Sequence, residues 1–301
     1  MTLSIGWEAE EKLDWIALTE ALEAGHLLPR AEIQDSFLYR GTDTVLSRAA
    51  WIDGLGIAVK TATIFPGNAA YDLPNIGGGV SLFEDVSGQL SAMLDFRLVT
   101  KWKTAGDSLL SAIKLAPPKV ETILIVGAGT VARSVIEAYS AYFTDASFAI
   151  WNRTAERAEA MAGERVSPRY DLRTAVVEAD IIVTCTMSTD PVLKGEWLTP
   201  GTHLDLIGAY RPDMREVDDT ALQRAELFVD SRATTIGHIG EIEIPLQRGV
   251  IDPSDLRAEF YDIESGKFAR SDADAITIAK NGGGAHLDLM TCAYIRDAVS
   301  K

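Results

Sequence analysis

The chain has 301 residues, enough for two domains that each bury a core. Its 44 acidic and 28 basic residues give a net charge of -16, with no basic stripe for phosphates, which excludes nucleic acid as a partner. No apolar run approaches the ~20 residues of a membrane span and no charged-then-apolar leader opens the chain, so a cytoplasmic protein away from membranes is expected. Cys185 falls in an apolar strand pattern and Cys292 in the last helix. Neither has metal-ligand spacing, so both read as reduced core residues and no metal site is expected.

Leu13–Ala24 carries helical spacing, and Gly25 is expected to stop the helix. Thr44–Ile52 and Gly56–Phe65 read as strands joined around Asp53-Gly54, a hairpin signal. Arg48 and Lys60 interrupt them. A charged strand residue ordinarily points outward from an edge; the alternative is that these two converge on an anion. A two-residue loop pairs Arg48 with Val59 and sends Lys60 to the other face, whereas a three-residue loop ending at Leu55 sets Arg48 opposite Lys60 on one face. Gly56, directly after Leu55, favours the longer loop. Pro66-Gly67-Asn68 closes this unit, and Gly77-Gly78-Gly79 leads into strands at Val80–Glu84 and Leu90–Leu94. These antiparallel strands predict an α+β domain. Leu98–Leu115 reads as a helix with Lys103 and Thr104 near its N-terminus. The helix dipole disfavours a cation there, so Lys103 is either solvated or paired with an anion. Pro117-Pro118 reads as a linker.

Thr122–Ala132 organises the rest: an aliphatic run, Ile123 to Val126, breaks into Gly127-Ala128-Gly129 and restarts as a helix at Thr130. Gly127 permits a tight turn, Gly129 lets the backbone approach a pyrophosphate, and the free N–H groups at the helix start would face the phosphates. Strands at Ser147–Trp151, near Val166, Ile181–Cys185, His203–Ile207, Leu227–Val229 and Ile276–Ala279 alternate with helical segments. The pattern predicts a Rossmann-type, doubly wound parallel sheet, and hence an α/β protein. An NAD site usually carries an acid at the tip of the second strand. Here the tip is Trp151-Asn152-Arg153-Thr154, where Arg153 could meet a 2′-phosphate, so NADP is expected over NAD. Gly240-Glu241 and Asn281-Gly282-Gly283-Gly284 read as joints, Tyr210, Glu241 and His286 as candidate pocket edges, and Ala285–Val299 as a helix returning to the first domain.

Taken together, VKTATIFPGN, LVTKWKTAGDS, IVGAGTVA, IWNRT, ADIIVTCTMSTDPVL, IGAYRPDMREVDD and AKNGGGAHLD resemble the ornithine cyclodeaminase/mu-crystallin family over nearly the whole chain. The resemblance implies a homodimer built through a substrate-binding and dimerisation domain (1–116 plus 285–301). It also implies a dinucleotide-binding domain (117–284), with the active site in the cleft between. Arg48, Lys60 and Lys103 match substrate-carboxylate contacts, with Lys60 also the catalytic candidate. Lys103 stands where the family usually has Arg, which exchanges a bidentate fork for a point charge. Thr104, Gly127, Gly129, Thr130, Val131, Asn152, Arg153, Thr154, Thr186 and Met187 match dinucleotide contacts, and Ile207 and Asn281 match positions near the nicotinamide.

Two acids expected of a true ornithine cyclodeaminase are absent: Gly208-Ala209-Tyr210 replaces a Gly-Gly-Asp, and Arg153 occupies the region of the acid that favours NAD. The expectation is therefore an NAD(P)H-dependent reductase that delivers hydride to the C=N carbon of small imino acids, such as pyrroline-2-carboxylate. The alternatives are ornithine cyclodeaminase with catalytic NAD, an alanine-dehydrogenase-like activity, and a dinucleotide-gated binding protein.

Overall fold

In the computed structural model, which describes residues 2–300, β1 (Leu3–Ile5), β2 (Glu32–Arg40), β3 (Asp43–Ile52), β4 (Gly56–Ile64), β5 (Ile76–Phe83) and β6 (Leu90–Asp95) form one sheet. Its order is β1-β6-β5-β4-β3-β2; β1 runs parallel to β6 and every other pair is antiparallel. The β3–β4 loop has three residues, Asp53 to Leu55, closed by the Leu55 N–H donating to Ile52 O at 3.0 Å. Ile52 therefore pairs with Gly56 and Arg48 with Lys60, on the face that also carries the buried Ala50, Ala58, Val80, Leu82, Ala92 and Leu94. The opposite face leaves Trp51 and Met93 exposed.

Three local expectations change. Gly25 lies inside α1 (Trp15–His26) instead of ending it, because a Cβ there would stand 2.7 Å from the Met290 side chain; the glycine serves close helix packing. The three glycines at 77–79 lie within β5 instead of leading into it: a Cβ on Gly78 would come within 2.0 Å of Thr61 O, so this strand pair packs tightly over a missing side chain. α2 begins at Phe96 (Phe96–Leu115), with Asp95 accepting from the Arg97 and Leu98 N–H groups at 2.8 and 2.9 Å. Lys103 thus sits well past the first turn, where the helix dipole no longer acts on it. β1 and β2 went unforeseen; β2 is an edge strand exposed along most of its length and shows no apolar alternation.

The second sheet is entirely parallel. It comprises β7 (Thr122–Val126), β8 (Ser147–Trp151), β9 (Val166–Pro168), β10 (Ile181–Thr184), β11 (His203–Leu206), β12 (Glu226–Val229), β13 (Leu256–Glu259) and β14 (Thr277–Lys280), ordered β13-β12-β14-β11-β10-β7-β8-β9. Its helices are α3 (Thr130–Tyr142), α4 (Ala155–Glu159), α5 (Leu172–Val177), α6 (Asp219–Arg224), α7 (Arg232–Thr235) and α8 (Gly240–Gln247). Strand order reverses between β7 and β10, the switch point at which open parallel sheets bind ligands beyond their carboxyl ends. The core is aliphatic, with Leu124, Val126, Ile182, Leu204, Leu206 and Ile278 fully buried. Gly240-Glu241 opens α8 and is buried, so it is no flexible joint: a Cβ on Gly240 would meet Pro212 O at 2.4 Å.

Contacts divide the chain into two units, one running up to Lys103 and resuming at Gly283, the other spanning Thr104–Gly282. The first division lies within α2, ahead of Pro117, because the second half of that helix is tied to the parallel sheet. Ser108 Oγ lies 2.8 Å from Tyr139 OH, and Thr277 Oγ1 donates to Leu115 O at 3.2 Å. The last helix, α9 (Ala285–Ser300), belongs to the first unit. No helix among the described residues is long and apolar enough to cross a membrane.

Candidate active site

In the first unit the three predicted cations come together around the start of α9. Arg48 and Lys60 face the same way because of the three-residue loop. The Arg48 Nη1 and Lys103 Nζ both donate to Gly283 O, at 2.9 and 3.2 Å. Arg48 also donates from Nε to both oxygens of Asp35, its cross-strand partner, at 3.1 Å. Lys60 Nζ is 2.9 Å from Asp288 Oδ1, an ion pair whose side chains are only 8% and 1% exposed. Burial alone would raise the Asp288 carboxyl, but Lys60, Lys103 and Arg48 outweigh it and hold the group below the usual carboxylate range. Burial pushes the His286 ring down to about 3, reinforced by Lys103, so it stays neutral beside these cations. Among Arg48, Lys60, Lys103, Asp35 and Asp288 there are three positive and two negative charges, a surplus suited to one more carboxylate.

In the second unit the predicted dinucleotide positions line the carboxyl edge of the sheet. Gly127 takes φ +118°, and its N–H donates to Trp151 O at 2.8 Å; a Cβ would meet Cys185 O at 2.9 Å. At Gly129 a Cβ would meet nothing within 4 Å, and no side chain caps the helix that Thr130 and Val131 begin. Open space above bare N–H groups is what a phosphate requires. Asn152 Oδ1 accepts from the Ala128 N–H at 3.2 Å while its Nδ2 donates to Thr154 O at 2.9 Å, joining the β8 tip to the glycine turn. Arg153 is exposed on that tip. Thr186 and Met187 follow β10, Ile207 follows β11 and Asn281 follows β14. Asn281 donates to Asp107 Oδ1 at 3.0 Å, and its own Oδ1 is buried with no hydrogen-bond partner among the described residues. Thr104 opens the second unit on α2, half-buried. These residues fit a dinucleotide.

Of the three candidate pocket edges, Tyr210 is 59% exposed, whereas Glu241 and His286 are fully buried. Sequence reasoning missed Asp288, Glu216 and Lys280. Asp288 could have been found as the acid two residues past His286 in a helix opening onto a buried lysine, but as a first-turn acid it reads as ordinary helix-dipole compensation. Glu216 and Lys280 are buried ions in loop-edge positions, and nothing local marks them as such.

A Rossmann-type sheet with an open glycine turn in one unit and a cation cluster with the charge for a carboxylate in the other together define a class of dinucleotide-dependent enzymes acting on small carboxylic acids. The ornithine cyclodeaminase/mu-crystallin family model matches residues 51–301, and the chain belongs to that family. It is 47% identical over 301 residues to a Delta(1)-pyrroline-2-carboxylate reductase of Paracoccus denitrificans, covering 97% of this chain and 95% of that one. It is 33% identical over 247 residues to the ketimine reductase mu-crystallin of Mus musculus, covering 81% and 76%. An archaeal alanine dehydrogenase dimer with bound NAD superposes with a TM-score of 0.90 at 25% identity, covering 99% of this chain and 96% of that one.

Proposed function

We propose that the protein is an NAD(P)H-dependent reductase of small imino acids, with cyclic ketimine carboxylates such as pyrroline-2-carboxylate as substrates. The observation that carries this reading is the convergence of Arg48, Lys60 and Lys103 on Gly283 and Asp288. The similarity to the Paracoccus reductase names the imine class. When bound, the dinucleotide supplies the hydride that adds to the imine carbon. Arg48, Lys60 and Lys103 bind the carboxylate attached to that carbon and so fix its orientation. The product nitrogen needs a proton, and Lys60, held by Asp288, is the residue assigned to provide it. The glycine turn and the start of α3 hold the pyrophosphate, and Asn152 braces that turn.

Arg153, with no acid between Trp151 and Thr154, supports NADPH over NADH. The exposed Trp51 and Met93 on the outer face of the first sheet support a homodimer formed through that face. With free thiols at Cys185 and Cys292, the cytoplasm is the proposed compartment. The cyclodeaminase alternative lacks its acid, since Gly208-Ala209-Tyr210 supplies a phenol there and Tyr210 is exposed. The test is dinucleotide consumption against a panel of cyclic ketimine carboxylates, and pyruvate with amines, using NADPH and NADH in parallel. Rapid net oxidation on a cyclic ketimine is expected. Ammonia and proline from ornithine without net oxidation would overturn the reading in favour of cyclodeamination, and dinucleotide binding without turnover in favour of a binding protein.

A further inference from the structure

Beyond the strands that end at the dinucleotide edge lies IGAYRPDMREVDD, a stretch to which, after Ile207, the proposed reaction gives no task. Its Glu216 is fully buried, yet its carboxylate is saturated by donors from two different strand ends. Oε1 accepts from the Thr186 N–H and the Thr186 hydroxyl, both at 2.7 Å. Oε2 accepts from the Thr184 hydroxyl at 2.8 Å and from the Gly208 and Ala209 N–H groups at 2.7 and 3.2 Å. Five donors on one carboxylate offset the cost of taking its charge out of water. The approach is close enough that a Cβ on Gly208 would stand 1.9 Å from Thr186 O and 2.5 Å from Glu216 Oε1. That explains why the position after Ile207 is glycine.

Two further buried ionisable side chains brace the surrounding backbone. Glu241, at the start of α8, accepts from the Glu216 and Val217 N–H groups at 2.6 and 3.2 Å and so fixes the backbone that carries Glu216. Lys280, at the end of β14, donates to Leu206 O at 2.7 Å and Asn281 O at 2.9 Å; burial pushes its ammonium down, and the charges of Glu216 and Glu241 oppose that. The cluster therefore touches the tips of β10, β11 and β14, the three tips that carry Thr186, Ile207 and Asn281.

We propose that Glu216 is a positioning residue for the dinucleotide: it fastens the ends of β10 and β11 together and thereby sets Thr186, Ile207 and the 208–209 turn against the cofactor. This rests on the dinucleotide reading given above. Glu216 is buried beneath the edge and acts only through the groups it binds. An uncharged, isosteric glutamine cannot reproduce the arrangement, because both carboxylate oxygens face N–H donors and one end of an amide is itself a donor.

The experiment compares wild type, Glu216→Gln and Thr184→Val, the last removing one donor to the carboxylate without changing side-chain volume much. Three quantities are read: NADPH affinity from quenching of dinucleotide fluorescence, the thermal shift on adding NADPH, and single-turnover hydride transfer from 4-deuterated against protiated NADPH. For Glu216→Gln we expect dinucleotide affinity to fall several-fold, the ligand-induced thermal shift to shrink, and hydride transfer to slow by about 10–100-fold with a larger isotope effect. Thr184→Val is expected to show the same pattern more weakly, with hydride transfer slowed about 3–10-fold for the loss of one charge-assisted hydrogen bond, and keeps the test decisive if Glu216→Gln does not fold. A folded Glu216→Gln or Thr184→Val protein with wild-type affinity, thermal shift and isotope effect would overturn the positioning role alone. Wild-type protein that neither quenches NADPH fluorescence nor gains stability from NADPH would overturn the dinucleotide reading beneath it.

Discussion

Lys60 on β4 and Asp288 on α9 form a buried ion pair, Nζ to Oδ1 at 2.9 Å, that joins the sheet of the first unit to its last helix. Asp288 Oδ2 is buried with no hydrogen-bond partner among the described residues, so the pair is asymmetric: among them the lysine is the carboxylate's one direct hydrogen-bond partner. Removing Lys60 strips the carboxylate of that hydrogen bond, and removing Asp288 leaves the lysine's charge buried without its ion-pair partner. Asp288→Asn is expected to cost about 3–5 kcal/mol of stability and to lower kcat/KM for the imino acid by at least tenfold, read by urea melts and steady-state kinetics. Unchanged kinetics in a folded variant would show that Lys60 does not depend on this partner.

The same pair sets an acid limit. The Asp288 carboxyl is held below its ordinary value in the folded chain, so its contribution to stability is present above about pH 4 and lost as pH falls through the lower folded value. His286 acts in the same direction. Its folded pKa is about 3 against 6.5 in an unfolded chain, so falling pH protonates the unfolded state first and stability drops from about pH 6.5 downward. A His286→Gln protein is expected to lose less stability than wild type between pH 7 and pH 4, measured by denaturant melts at each pH. Parallel curves would contradict the assignment.

Glu241 has the opposite sign. Burial, reinforced by Glu216, pushes its carboxyl up to about 7, so the folded state holds a proton that the unfolded state has already released above about pH 4.5. Its contribution is complete below pH 4.5 and disappears as pH rises through 7. The difference in stability between wild type and Glu241→Gln should therefore move against wild type across about pH 5 to 8. A constant difference over that range would refute the raised value.

In the proposed function Arg153 carries the choice of cofactor. Arg153→Ala is expected to raise the KM for NADPH by about 10–100-fold, the worth of a charge-assisted contact, and to leave the KM for NADH within about twofold. Equal loss with both cofactors would place Arg153 against a part of the dinucleotide common to the two.

Trp51 and Met93 carry the proposed dimer face. Met93→Asp should convert a dimer into a monomer by light scattering after gel filtration, because a charge on an interface core is desolvated without a partner. A dimer that survives the substitution would place the interface on another surface.

How much of this was legible in the chain differs from residue to residue. The glycine turn and the alternating strands were readable because a buried parallel strand, a φ-permissive glycine and a helix start each leave a local mark. Arg48 opposite Lys60 hung on one residue of loop length, which Gly56 tipped correctly. Asp288 was not readable, since its partner lies 228 residues away and a helical acid has an ordinary local explanation. Glu216 and Lys280 were hidden for the same reason: a buried ion differs from a solvated one only through the strand ends folded around it. The helix-dipole argument for Lys103 failed at its premise, because Asp95 starts the helix earlier than the apolar spacing shows.

The most direct measurement is the fate of the hydride. Protein, pyrroline-2-carboxylate and NADPH deuterated at C4 of the nicotinamide are mixed, and the amino acid formed is examined by mass spectrometry and NMR. Reduction of the imine predicts proline carrying one deuteron at Cα, formed in step with the dinucleotide consumed. Dinucleotide left unconsumed, with unlabelled proline and ammonia appearing only when ornithine is supplied, would contradict it.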